Sequence, residues 1–153
     1  MSKKISVAIL GSTGYVGLEL VKIISKHPNV EIVFLGTEQS PNISIERLEP
    51  SINVSNIPKT QLNRDFDCNI ADTVFLALPH SVSHEYVKLF YNKIQIIDLS
   101  ADFRLDDYKI YQENYGTNHS CPNLLNNFIY GLPEFNKKEL INCKNIAVPG
   151  CYP

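Results

Sequence analysis

Seven residues near the amino end, Gly11-Ser12-Thr13-Gly14-Tyr15-Val16-Gly17, constrain this chain more than any other stretch. They hold three of its seven glycines and follow a short apolar run, Ile5-Ser6-Val7-Ala8-Ile9-Leu10. Beyond them Val16, Leu20, Ile23, Ile24 and His27 recur at helical spacing up to Pro28. Glu19 is expected in the first turn of that helix and Lys22 and Lys26 later, the order the helix dipole favours. The segment reads as strand, tight turn and helix. At such a turn a missing Cβ lets the backbone bend sharply and approach a pyrophosphate, which rests on the free N–H groups of the helix start. The spacing is G-x-x-G-x-x-G, not G-x-G-x-x-G, and no Gly-Lys-Ser/Thr follows, so a Walker loop is excluded. A glycine-rich turn without a ligand is the alternative that the pattern alone leaves open.

The same alternation continues. Val30 to Leu35 reads as a second strand, and Thr73 to Leu78 is a continuous apolar run, as in a strand buried on both faces. Ser81 to Asn92 has helical character, Ile94 to Asp98 is a strand, and Asn145 to Val148 is the last. Residues 37–70 are polar and broken by Pro41, Pro50 and Pro58, and no element is assigned there. Strands alternating with helices predict an α/β, Rossmann-like, doubly wound and mostly parallel sheet.

At 153 residues the chain suits one domain. Its net charge of −2 gives no footprint for nucleic acid or an anionic membrane. No apolar stretch approaches the roughly 20 residues that cross a bilayer. Met1-Ser2-Lys3-Lys4 before the short apolar run reads as the lead-in to a strand rather than a signal peptide. Cys68, Cys121, Cys143 and Cys151 form no C-x-x-C pair and have no short spacing with histidine, so a reduced, cytoplasmic protein without disulfides or zinc is expected. His80 and His84, four apart, could share a helix face, but no third ligand accompanies them and no metal is expected. His27 and His119 read as surface or turn residues.

Two further segments bear on chemistry. Past the second strand, Gly36-Thr37-Glu38-Gln39-Ser40 would face an adenosine ribose. Thr37 and Ser40 could serve a 2′-phosphate, whereas an inward Glu38 would repel it; Glu38 as a solvated loop residue is the other reading. At the far end, Cys151 follows a strand and a Pro-Gly turn, at the sheet edge where doubly wound folds place ligands. The amides of a helix starting just beyond would favour its thiolate and could stabilise an oxyanion. A small buried hydrophobe is the alternative for a free cysteine.

Five segments in this order, Gly11 to Gly17, Leu76-Ala77-Leu78-Pro79-His80, Asp98-Leu99-Ser100-Ala101-Asp102-Phe103-Arg104, Tyr130-Gly131-Leu132-Pro133-Glu134 and Val148-Pro149-Gly150-Cys151-Tyr152-Pro153, resemble the N-acetyl-gamma-glutamyl-phosphate reductases of arginine biosynthesis. The glycine loop is shared with the aspartate-semialdehyde dehydrogenases; the Asp98 to Arg104 segment argues against that relative. The resemblance implies NADPH-dependent reduction of a small-molecule acyl phosphate to a semialdehyde through a cysteine thioester. It implies Cys151 as nucleophile, Gly11, Ser12, Thr13, Gly14, Tyr15 and Val16 as the pyrophosphate loop, and Thr37 near the adenosine ribose. Pro79 matches a loop on the nicotinamide side and Arg104 a substrate anchor, with a salt bridge to Asp102 or Asp106 as the alternative. Family members often carry Ser-Arg where this chain has Thr37-Glu38, so NAD stays open beside NADP.

The resemblance further implies residues 1–148 as the NAD(P)-binding domain and 149–153 as the start of the cysteine segment. A second domain, absent here, would supply the general acid/base histidine, much of the acyl pocket and a homo-oligomer. A carrier-linked aminoadipyl substrate and a non-catalytic dinucleotide-binding module remain alternatives. A short-chain dehydrogenase would need Tyr-x-x-x-Lys, which does not occur.

Overall fold

The computed structural model describes residues 3–52 and 54–152 and divides into two compact units, Met1–Ala77 and Leu78–Pro153. The first unit contains β1 (Ile5–Leu10), α1 (Tyr15–Ile24), β2 (Val30–Thr37), β3 (Thr60–Leu62) and β4 (Thr73–Leu76). Its strands pair in parallel, in the order β3-β2-β1-β4. Parallel strands covered on both faces need apolar residues at every position, and Val7 to Leu10 of β1 are all buried. Val21 and Ile24 of α1 join Val7, Ile9, Ile32, Leu35, Ile45 and Ile52 in one core cluster. The direction of winding reverses between β1 and β4, and ligands of doubly wound folds lie outside the carboxyl ends of strands at such a reversal. Gly11 follows β1 at that edge.

Several expectations shift by a few residues. α1 ends at Ile24 rather than His27, since Pro28 cannot continue it, and the last turn tightens as His27 N donates to the Ile24 carbonyl. Glu19 lies in the second turn, where it pairs with Lys22. β2 runs on to Thr37 and β4 stops at Leu76. Among its described residues the unassigned stretch holds β3 and three single 3-10 turns, at Ile45–Arg47, Asn63–Asp65 and Cys68–Ile70. These pieces are too short to show a period, yet Ile45 and Ile52 close the core.

The second unit contains α2 (Ser83–Phe90), β5 (Gln95–Asp98), α3 (Tyr108–Tyr115), β6 (Ile129–Tyr130), α4 (Pro133–Leu140) and β7 (Asn145–Ala147). Its strands are again parallel, in the order β5-β7-β6. α3 is polar along most of its length and owes its start to Asp107, whose carboxylate accepts from the Lys109 and Ile110 amides, and its end to Gly116 at φ +66°. Parallel strands joined through helices make this the α/β, Rossmann-like class that the sequence predicts. Among the described residues no helix is long and apolar enough to cross a membrane.

Candidate functional site

In the first unit, two of the three loop glycines are demanded by the fold. Gly11 has φ +79°, a conformation that side chains oppose. A Cβ on Gly17 would fall on the Gly11 carbonyl and the Ser12 backbone. Gly14 differs. Its φ of −78° suits any residue, and a Cβ there would sit 3.6 Å from the Gly11 oxygen, an ordinary contact. Gly14 is the N-cap of α1, exposed, and no side chain caps the helix there. Its bareness leaves the first-turn amides open to an anion, which fits the pyrophosphate of a dinucleotide.

The neighbouring side chains shape this cradle. Ser12 is buried, and both its amide and its hydroxyl donate to the Gly36 carbonyl at 2.8 Å. Thr13 and Thr37 share a hydroxyl–hydroxyl hydrogen bond of 2.9 Å. Thr37 is buried, and its oxygen also accepts from the Gln39 and Ser40 amides, so it organises the turn after β2. Tyr15 and Val16 open α1 with exposed side chains. Asn63 lies in the stretch without a sequence assignment. Its Oδ1 accepts from the Gly11 amide at 3.1 Å and its Nδ2 donates to Glu38 at 2.7 Å. No sequence signal marked it.

In the second unit, Cys151 is exposed on a bend shortly after β7. Arg104 donates from Nε to the Val148 carbonyl and from Nη2 to the Leu99 carbonyl. Its Nη1 lies against Gly150, 3.3 Å from where a Cβ there would stand. The structure thus brings Arg104 to the Cys151 segment, and among the described residues it forms no ion pair with Asp102 or Asp106. Pro79 is exposed, between buried Leu78 and the loop into α2.

Asp102 is fully buried and gathers a cluster of its own. Its Oδ1 lies 2.6 Å from His80 Nδ1 and accepts from the Ser81 amide and the Tyr111 hydroxyl. His84 Nε2 lies 3.6 Å from its other oxygen. His80 precedes α2 rather than sharing a helix face with His84. His119 is buried, not a surface residue: its Nε2 donates to the Asp102 carbonyl, and its Nδ1 accepts from the Cys121 amide. Burial, then the nearby His84, pushes His119 down to about 4, and burial holds His84 below its ordinary value. Burial also raises Tyr111 to about 12. Among the described residues, no group of three or more His, Cys, Asp or Glu side chains could hold a metal ion.

A strand, a glycine turn and a helix on a parallel sheet define a dinucleotide-binding α/β domain. The chain belongs to the semialdehyde dehydrogenase family, whose NAD binding domain matches residues 6–143. It is 41% identical over 160 residues to the N-acetyl-gamma-glutamyl-phosphate reductase of Ehrlichia chaffeensis, covering all of this chain and 44% of that protein. It is also 44% identical over 149 residues to the LysW-L-2-aminoadipate/LysW-L-glutamate phosphate reductase of Sulfurisphaera tokodaii, with 96% and 43% covered. The chain therefore spans less than half the length of these curated relatives. The crystal structure of aspartate semialdehyde dehydrogenase II from Vibrio cholerae, complexed with ASA, shares the fold at a TM-score of 0.70 and 20% identity, over 97% of this chain and 42% of that one.

Proposed function

We propose that residues 1–148 are the NAD(P)-binding domain of a reductase that converts N-acetyl-glutamyl 5-phosphate to the 5-semialdehyde in arginine biosynthesis. Residues 149–153 then begin the segment that leads from the nucleophile into a substrate-binding, oligomer-forming domain. The family match and the relatives' names support the reading. The structural observation that carries it is exposed Cys151 on a segment pinned by Arg104.

In this reading the Cys151 thiolate attacks the acyl carbon, the bond to the phosphate oxygen breaks, and inorganic phosphate leaves with the electron pair. The acyl group remains as a thioester, whose weak carbonyl resonance makes it easier to reduce than a carboxylate. A nicotinamide dinucleotide held by the loop would supply the hydride, NADPH by family resemblance, with NADH compatible with the same site. As the C–S bond breaks, Cys151 returns to the thiolate and the semialdehyde departs. Gly11, Ser12, Thr13, Gly14, Tyr15, Val16 and Thr37 form the dinucleotide loop, and Pro79 flanks the nicotinamide. Arg104 holds backbone carbonyls with Nε and Nη2, leaving Nη1 as the part of its fork that meets a substrate anion. The setting is cytoplasmic, the partners are a small-molecule acyl phosphate and copies of the same protein, and neither nucleic acid nor membrane is involved.

The test is phosphate-dependent reduction of NADP and NAD by the intact protein carrying this chain, with N-acetylglutamate 5-semialdehyde as substrate. Turnover that Cys151→Ala abolishes is expected, with negligible turnover by the 153 residues alone. Full activity of Cys151→Ala overturns the thioester route. Turnover of only a carrier-linked aminoadipate semialdehyde would move the substrate to that of the second relative.

A further inference from the structure

We infer that Asn63 and Glu38 form a ribose-recognition element that makes this domain bind NAD(H) at least as tightly as NADP(H). The inference rests on the dinucleotide reading of the glycine loop and concerns which dinucleotide that loop takes.

The adenosine ribose of a dinucleotide meets the turn just past the second strand, where a carboxylate accepts from a free 2′-hydroxyl and a cation serves a 2′-phosphate. Glu38 immediately follows β2. Its side chain is exposed but held, because Asn63 Nδ2 donates to Oε1 at 2.7 Å. Asn63 is itself fixed. It is 1% exposed, and its Oδ1 is committed to the Gly11 amide, so the amide nitrogen must face the other way. Gly36 makes room for it: a Cβ there would fall on Asn63 Oδ1 and on Leu10. Gly11, Gly36 and Asn63 thus form one support that ties a carboxylate to the first glycine of the loop.

A hydroxyl donates to a carboxylate so placed, whereas a phosphate dianion brings like charge against it. The basic residue beside this support in sequence is Arg64, exposed and next to Asn63.

Dissociation constants of NADH and NADPH, measured at low salt on the chain and on Glu38→Gln, separate these cases. The exposed position of Glu38 makes the variant safe for folding, and its amide oxygen still accepts from Asn63 while its charge is gone. The wild-type chain should bind NADH no more weakly than NADPH. Glu38→Gln should tighten NADPH about tenfold and change NADH by less than about threefold. Tighter binding of NADPH by the wild type, or an equal change for both ligands in the variant, overturns the inference and leaves the dinucleotide reading standing. Binding of neither ligand overturns both.

Discussion

Arg104 Nε donates to the Val148 carbonyl at 2.8 Å, three residues ahead of Cys151, while Nη2 donates to the Leu99 carbonyl at 3.2 Å. One planar guanidinium therefore ties the loop after β5 to the segment after β7. Lysine offers a point charge and cannot bridge both carbonyls in the same way. Arg104→Lys should lower stability to urea by about 1–2 kcal/mol and speed amide exchange at Val148 and Gly150. Unchanged exchange there would show that the segment holds without the fork.

The glycine loop separates fold from ligand. Gly17→Ala places a methyl group on the Gly11 carbonyl and should cost about 3 kcal/mol or prevent folding. Gly14→Ala meets only an ordinary contact and should change stability by less than about 1 kcal/mol. The same methyl group narrows the approach to the amides of α1, so dinucleotide affinity should fall about tenfold. Thermal unfolding and ligand titration of both variants check the contrast. Equal losses of stability would contradict it.

The four cysteines should react in order of access. Burial pushes the Cys121 thiol up to about 11 and also raises Cys143, while Cys151 is exposed. Iodoacetamide at pH 8 should label Cys151 first, and Cys121 about a hundredfold more slowly than an ordinary thiol. Peptide mapping over a time course reads the order directly. Equal labelling of Cys121 and Cys151 would contradict the burial difference.

Acid should weaken the second unit through its histidines. Both nitrogens of His119 are committed, one donating and one accepting, so a second proton would set a donor against the Cys121 amide. The unfolded chain takes up that proton near pH 6.5, whereas the folded chain waits until about 4. Stability from His119 is therefore full above about pH 6.5 and is lost as pH falls toward 4. Asp98 acts in the opposite sense. Burial raises it to about 6 against hydrogen bonds from the Ser100 amide and hydroxyl. Its contribution is present below the ordinary carboxylate value near 4 and is lost as pH rises through 6. The two trends offset each other between pH 4 and 6, so Asp98→Asn should make the urea midpoint fall more steeply with acid than wild type. His119→Gln should flatten the fall. Parallel profiles for all three proteins would contradict these assignments.

The parts legible in the sequence are those with a period or a forced backbone. β1, α1, β2, β4 and α2 announce themselves through apolar spacing, and the glycine loop through its turn. α3 carries no apolar period, because its residues are largely polar and its start rests on one capping aspartate. β3 and β6 are too short for alternation to register. The same limit holds at the site. Cys151, Arg104 and the loop belong to sequence motifs, but Asn63 sits in a 3-10 turn and acts through a long-range hydrogen bond to Gly11. His119 read as a turn residue because nothing local reveals that Phe103, Tyr111 and His84 pack around it.

Amide chemical shifts of the nitrogen-15-labelled chain, followed during titration with NADH, test the cradle most directly. Shifts that saturate together at Gly11 to Gly17 and Thr37 to Ser40 are the predicted result. Saturable shifts confined to other segments, or none at millimolar NADH, would contradict it.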